Sequence, residues 1–345
     1  NDITRTPWND SIKASTIVER GGNKIGFVGA IGYGQTSSIT STYVQDIGFA
    51  LPEDFVLDEA KRLREEGCAA VIYLIHDDMT SCQDYAASKE YFDGVFTGHR
   101  HIRNNKRIGG VPFVQSYCNG EAISHFELTI KGGNVTCTGF DIIQSSENWA
   151  ENENIAKIRD SYIKDPTFAE KSDAYAGYVD GTLSAKEGVS NLFAKAIYEK
   201  YKPLHPELSG AFQNGLRAPL SFDISYRDIY KAGPFMNHIV IAKVLGYEIV
   251  NEAEYNSYYR GDEYQYEKDE YYVIACVDYV LYHQNDYKQF NYFNSLNDDF
   301  DSKVIADYVD YPFDIAFDYV HDDLNQSVDP GMFKAGSDGF GAKLL

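Results

Sequence analysis

Apolar and polar positions alternate in blocks along the first third of the chain. Residues 23–31, NKIGFVGAI, are mostly apolar and bounded by Gly21-Gly22 and Gly32, the pattern of a strand. Residues 53–68, EDFVLDEAKRLREEGC, follow a helical period. Val56, Ala60 and Leu63 trace one stripe with Phe55 at its edge, and Gly67 closes the helix. AAVIYLIH (69–76) reads as a buried strand ending on a histidine. CQDYAASKEYF (82–92) reads as a weaker helix, and DGVFTGH (93–99) as another strand ending on a histidine. VPFVQSY (111–117) and AISHFELTIKGGNVTCTGFDII (122–143) complete this unit, the latter as two strands joined at Gly132-Gly133-Asn134. Strand, helix, strand, helix, strand predicts an α/β layer with some parallel pairing.

The pattern changes at 144–175, where SSENWAENENIAKIRDSYIKD is polar and helix-prone and reads as a linker helix. A second unit follows. GVSNLFAKAIYEKY (188–201) predicts an amphipathic helix, and LSGAFQNGLRAPL (208–220) a strand running into a loop. Residues 225–250 predict a short helix, a turn at Gly233-Pro234 and a long strand, and 271–281 a further strand. From about 326 apolar periodicity is scant, which predicts a frayed terminus.

This layout gives the VFTGHRHI stretch (95–102) its interest. His99 and His101 by themselves fit a solvated basic turn with Arg100 and Arg103, or a metal site, and two histidines are too few for a complete one. His76 and His99, however, fall at the carboxyl ends of predicted parallel strands, the edge where open α/β sheets bind ligands. That placement favours metal. Asp77 and Asp78 add carboxylates nearby, and helix capping is the expectation for both. His125 lies in an apolar strand and reads as a core histidine. His205, His238, His283 and His321 have no partners in sequence.

Composition narrows the classes. The chain has 345 residues, 43% hydrophobic, which suits two domains with real cores. A net charge of −21 with no clustered Lys or Arg argues against polymeric nucleic acid as a partner. Small phosphates remain compatible if metal ions bring positive charge. No apolar run reaches the roughly 20 residues of a membrane helix. The five cysteines, Cys68, Cys82, Cys118, Cys137 and Cys276, form no C-x-x-C. They read as free buried thiols, with one Cys68–Cys82 disulfide as the alternative.

The order of motifs resembles the 5'-nucleotidase family of two-domain metallophosphoesterases, which includes UDP-sugar hydrolases and 2',3'-cyclic nucleotide phosphodiesterases. VIYLIH is similar to the family strand ending in a metal-ligating histidine, and DGVFTGHRH to its G-H-x-H motif. SNLFAKAI, FQNGLRAPL, IYKAGPFMNHIVIAKVLGYEI and VDYVLYHQNDY are similar to its later segments, so the resemblance spans about 1–325. It implies a partial metallophosphoesterase domain of the αββα sandwich type at 1–143 and a linker helix at 144–175. It further implies a 5'-nucleotidase-type α+β substrate-binding domain at 176–325 and a tail at 326–345.

The resemblance also implies roles. His76 and His99 would ligate one divalent ion and His101 a second, the metals being zinc, manganese or iron. Asn214, Arg217, Asn237 and Asp286 would hold a nucleotide or nucleotide-sugar substrate, and Phe235 and Tyr279 would sandwich its base. The activity implied is two-metal phosphoester hydrolysis, in an extracellular, periplasmic or cell-surface setting. There are departures. The family's D-x-H, G-D and G-N-H-E/D motifs do not occur, so catalytic residues are expected upstream of Asn1 and the chain alone is expected to be weak or inactive. NGLR is two residues shorter than the family loop, Lys195 replaces an aspartate, and Gln284-Asn285 replace a double glycine. An arginine often found ahead of the SNLFAKAI helix is missing, with Lys186 nearby. A non-catalytic relative that binds a ligand or partner is therefore the alternative.

Overall fold

The structure is a computed structural model that describes residues 12–39, 44, 47–261, 265–282, 284–285, 289–290, 293–297, 300–334, 337 and 339–341. Two compact units divide the chain, one running to Ala150 and the other beginning at Glu151.

The N-terminal unit is built on strands β1 (Ser15–Arg20), β2 (Asn23–Ile31), β3 (Cys68–His76), β4 (Gly94–Phe96), β5 (Arg103–Ile108) and β6 (Val111–Ser116). They form one sheet in the order β1-β2-β3-β4-β6-β5. The inner pairs β2–β3, β3–β4 and β4–β6 are parallel, and β1 and β5 pair antiparallel at the two edges. Helix α1 (Glu53–Glu65) connects β2 to β3 and α2 (Met79–Ala86) connects β3 to β4. Val56, Ala60 and Leu63 of α1 are buried, as their spacing predicts, while Phe55 is exposed. They pack with Val28, Val71, Tyr73 and Val95 in one core. Gly26 is needed there, since a Cβ on it would sit 2.8 Å from Leu63 Cδ1. Asp93 is buried and anchors the layer by accepting bonds from Arg64 (2.8 Å) and the Val71 amide (3.0 Å).

The opposite sheet face receives a hairpin of β7 (Ala122–Lys131) and β8 (Asn134–Gln144). Phe126 stacks on Phe96 at 4.2 Å and lies over Gly94, where a Cβ would be 2.6 Å from its ring. Val95, between these two, faces the helices. His125 is not a core residue. The phase of β7 puts it on the exposed side with Ile123 and Glu127, where it pairs across the hairpin with Asp141 at 3.1 Å. All five cysteines are free, including buried Cys68 and Cys82.

The C-terminal unit opens with two helices, α3 (Glu153–Ile163) and α4 (Pro166–Asp173). Strand β9 (Tyr175–Leu183) leads through a π-turn at 185–189 into α5 (Ser190–Tyr201), which is buried on most sides. There follow β10 (Leu208–Gln213), β11 (Leu220–Ser225), α6 (Tyr226–Ala232), β12 (Ile239–Leu245), α7 (Gly246–Glu252), β13 (Ser257–Arg260), β14 (Tyr271–Val277) and α8 (Asp278–Leu281). The two-residue strands β15 (Gln284–Asn285) and β16 (Gln289–Phe290) pair with each other. Then come α9 (Phe300–Lys303), β17 (Val304–Tyr308), α10 (Pro312–Asp318) and β18 (Ser327–Val328). The main sheet runs β13-β10-β14-β12-β17, with β10 and β14 parallel, and a smaller sheet runs β11-β9-β18. The strand expected to reach 250 stops at Leu245 and becomes α7, whose Glu248 side chain accepts from the Leu245 amide at 3.0 Å.

The segment after 325 is not a frayed end. β18 adds to β9 in parallel, Phe333 is fully buried, and its carbonyl accepts from Asn191 at 2.9 Å. Its apolar residues are too few to register as a periodic element, yet Val328 and Phe333 both reach seats in the core.

Candidate functional site

Strand pairing sets the histidine edge. β3 ends on His76, and its parallel neighbour β4 runs out two residues before Gly98. The Gly98 amide donates to the Asp77 carbonyl at 3.0 Å, which folds the turn back over the end of β3. Gly98 suits this place because a Cβ would press on His76 Nδ1 at 3.3 Å. His99 and His101 both take left-handed backbone conformations, with φ of 66° and 51°. Such φ values are uncommon outside glycine and concentrate at functional sites. Tyr117 and Asn119, in the loop after β6, are left-handed as well.

The turn brings the His76 and His99 rings edge to face, centroids 5.4 Å apart. Burial, and then the neighbouring His76, hold His99 below the ordinary imidazole pKa, which favours the neutral ring that a metal needs. His101 is exposed, and its charge also bears on His99. Capping, expected of both following aspartates, holds for one. Asp78 caps α2, accepting from the Thr80 amide at 2.8 Å and hydroxyl at 2.6 Å, and these bonds keep its carboxyl acidic. Asp77 instead turns inward, nearly buried, and accepts from Gln35 and the Asp78 amide, each at 2.7 Å.

Two neighbouring imidazoles are donors of the kind a divalent cation takes. They do not complete a two-ion centre, and among the described residues no group of three or more His, Cys, Asp or Glu converges. A separate cavity of about 700 Å³ lies between Ala14, Val28–Ile31 and the Phe55–Val56 start of α1, and none of the three histidines lines it.

In the C-terminal unit, the parallel pairing of β10 and β14 puts Gln213-Asn214 and Asp278-Tyr279 at the carboxyl ends of neighbouring strands. The antiparallel start of β12 adds Asn237-His238, Asp278 donating its amide to the His238 carbonyl. Asn237 and Asp278 are both buried and joined by a 2.6 Å hydrogen bond. Burial raises the Asp278 pKa, and the Asn237 bond opposes that rise. Asn214 is half-buried and accepts from Gln213 at 2.6 Å. Arg217 is exposed, and its guanidinium lies 4.7 Å from the centre of the Phe235 ring. Phe235 and Tyr279 are half-buried against the same core. Asp286 lies outside the described residues.

Sequence reasoning passed over several polar groups here. Asp278 is one, an acid closing an apolar strand. His238 faces Asp307 at 3.3 Å, and His205 bonds the Tyr308 hydroxyl at 2.9 Å. Their partners stand some 70 and 100 positions away in the chain, beyond any local pattern.

The fold has solved counterparts. A 5'-nucleotidase precursor from Thermus thermophilus matches with a TM-score of 0.74 at 15% identity, over 99% of this chain and 77% of that one. A putative 5'-nucleotidase from Staphylococcus aureus, solved with alpha-ketoglutarate, gives 0.65 at 13% identity over 90% and 72%. The sulfate thiohydrolase SoxB, also from Thermus thermophilus and solved with glycerol, gives 0.66 at 14% identity over 96% and 65%. No family model and no curated protein matches the sequence. Identities this low establish fold and leave function to be argued from the site. The expected α/β and α+β architecture is borne out: the chain shares its fold with solved 5'-nucleotidases.

Proposed function

We propose that the protein is a metal-dependent phosphoester hydrolase of the 5'-nucleotidase type, acting on a small nucleotide or nucleotide sugar outside the cytoplasm. The observation that carries this reading is the His76–His99 pair at the carboxyl edge of the parallel sheet, 5.4 Å between rings, in a fold shared with nucleotidases. Divalent zinc, manganese or iron, when bound, supplies an activated hydroxide and neutralises phosphoryl oxygens. His76 and His99 would hold one ion through neutral ring nitrogens, and His101, on the same turn, would reach a second.

Substrate would engage the C-terminal unit. Asn214, Asn237 and Asp286 offer polar contacts, and Phe235 and Tyr279 offer faces for a base. Arg217 covers Phe235 in this structure. A base that stacks on Phe235 must displace the guanidinium, and that frees it for phosphate oxygens. No described helix is long and apolar enough to cross a membrane.

The test is phosphate release from AMP and UDP-glucose by the purified chain, with and without manganese or zinc. The expected result is metal-dependent release, however slow, that His99→Ala abolishes. No release, together with unaltered affinity for zinc in His99→Ala, would leave a non-catalytic binding protein.

A further inference from the structure

Three parts of the histidine edge meet at Asp77. It follows His76 directly, and its carbonyl takes the amide of Gly98, the residue before His99, at 3.0 Å. Its side chain is held by the loop that leaves β2. There Gln35, in the 3-10 turn Tyr33–Ser38, donates Nε2 to Asp77 Oδ1 at 2.7 Å. The same loop grips β3 by its backbone, the Gly32 amide donating to the His76 carbonyl at 3.3 Å. Gly32 also lies so close that a Cβ on it would overlap Asp77 Oδ2. Gln35 and Asp77 are each 7% exposed. Their bond is therefore charge-assisted and shielded from water, and loss of either partner leaves the other buried and poorly satisfied. The carboxylate acts on the His99 ring as well. It favours positive charge there, though burial and the neighbouring His76 outweigh it. A cation held by that ring would draw on the same attraction.

We propose that Gln35 and Asp77 are positioning residues for the two imidazoles. The Gln35–Asp77 bond fixes the end of β3, and the Asp77 carbonyl passes that constraint to the turn that carries His99, so that both rings are set for one divalent ion before it arrives. This rests on the reading of His76 and His99 as ligands. The left-handed backbone of His99, at φ 66°, supports it, because such a conformation persists only where its surroundings hold it. The Gly98 amide bond to Asp77 is one such hold, one residue away. Groups that orient ligands from outside the coordination shell are worth about 10- to 100-fold in metal affinity. Freed from Gln35, Asp77 could leave Gly32, and the turn would lose its fixed distance from His76.

Zinc titration calorimetry and the visible absorption of added cobalt(II), whose bands report ligand geometry, test this on the full chain. Gln35→Ala should weaken zinc binding about tenfold or more and alter the cobalt spectrum. Asp77→Ala should lose as much, and Asp77→Asn, whose Oδ1 still accepts, should recover most of it. Gln35→Ala added to Asp77→Ala should cost nothing further, since Gln35 acts through Asp77. Circular dichroism shows which variants fold; if Asp77→Ala does not, Gln35→Ala and Asp77→Asn decide. A pair that merely staples the fold would lower the melting temperature of the metal-free protein and leave zinc affinity and cobalt spectrum like the parent's, which overturns the proposal. So does a full Gln35→Ala loss in the Asp77→Ala background. Zinc binding that His99→Ala weakens and Gln35→Ala does not removes this inference alone. A parent chain that binds neither ion removes the metal reading and this inference with it.

Discussion

The two edges that bear the candidate chemistry store their tension differently. At the histidine edge it lies in the backbone: His99, His101, Tyr117 and Asn119 all hold left-handed φ. Among the described residues of the Asn237–Asp278 edge the backbone has no such outlier, and the tension lies in desolvated polar groups held by each other. Left-handed non-glycine residues cost about 1–3 kcal/mol each, whereas an unpaired buried polar group costs a similar amount only once its partner is lost. The first edge should therefore respond to substitutions that relieve the backbone, and the second to those that break a pair.

Buried carboxylates of the C-terminal unit should give the largest effect. Glu252 closes α7 at 1% exposure, bonded by Asn256 through one oxygen, while Oε2 has no hydrogen-bond partner among the described residues. Burial lifts its pKa from the ordinary 4.5 to about 7. The folded protein thus holds a proton that the unfolded chain releases between pH 4.5 and 7. Stability is fullest below that window, falls across it, and stays lowered above it. Glu252→Gln should stabilise the protein at pH 8 by up to about 3 kcal/mol and flatten the loss between pH 5 and 7. Denaturant melts of both proteins at pH 5 and 8 check this. Equal midpoints at pH 8 would mean the carboxylate finds water or a counter-charge.

Breaking the pair comes next. Asn237→Ala leaves Asp278 buried without its side-chain donor and should cost about 2 kcal/mol, seen as a lower denaturation midpoint. Asp278→Asn, which keeps a hydrogen-bonding side chain of the same shape, should cost less. A reversed order would show that Asp278 is held mainly by backbone amides.

At the histidine edge the sign should change. Glycine takes φ of 66° without strain, so His99→Gly should stabilise the unliganded protein by about 1 kcal/mol. Zinc is expected to raise the parent's melting temperature, and the same substitution should remove that rise, since one imidazole is poor anchorage for an ion. A destabilised His99→Gly would mean that ring packing against His76 outweighs the backbone.

How much of this was legible in the sequence follows from the range of each interaction. Strands β2, β3, β4, β6, β7 and β8 and helix α1 were legible because their periodicity is local, and the buried positions Val56, Ala60 and Leu63 follow from spacing alone, whereas the polar edge strands β1 and β5 were not read. The approach of His76 and His99 was legible because parallel strands put both at one edge. The inward turn of Asp77 onto Gln35 was not, since 42 positions separate them. The same holds for Asn237 with Asp278, 41 positions apart. His125 was misplaced by one step of the period-2 phase, which composition does not fix. The left-handed φ of His99 was not read from the sequence, although histidine is among the few non-glycine residue types enriched there, because a several-fold enrichment over a rare conformation does not single out one position.

The smallest effect expected is also the one that separates the roles of Arg217 and Phe235. The guanidinium lies over the ring at 4.7 Å and is exposed, a contact worth about 0.5–1 kcal/mol. Arg217→Ala should thus lower stability only slightly. Its effect on binding should depend on the ligand. Adenosine competes with the guanidinium for the ring face, so removing Arg217 should tighten adenosine about two- to fivefold. AMP gains the same face but loses a charge-assisted partner for its phosphate, so its affinity should fall. Titration calorimetry with both ligands reads the difference directly. If adenosine and AMP weaken together, Arg217 supports the nucleoside and does not mask its platform. If neither changes, the Phe235 ring is not where the base stacks.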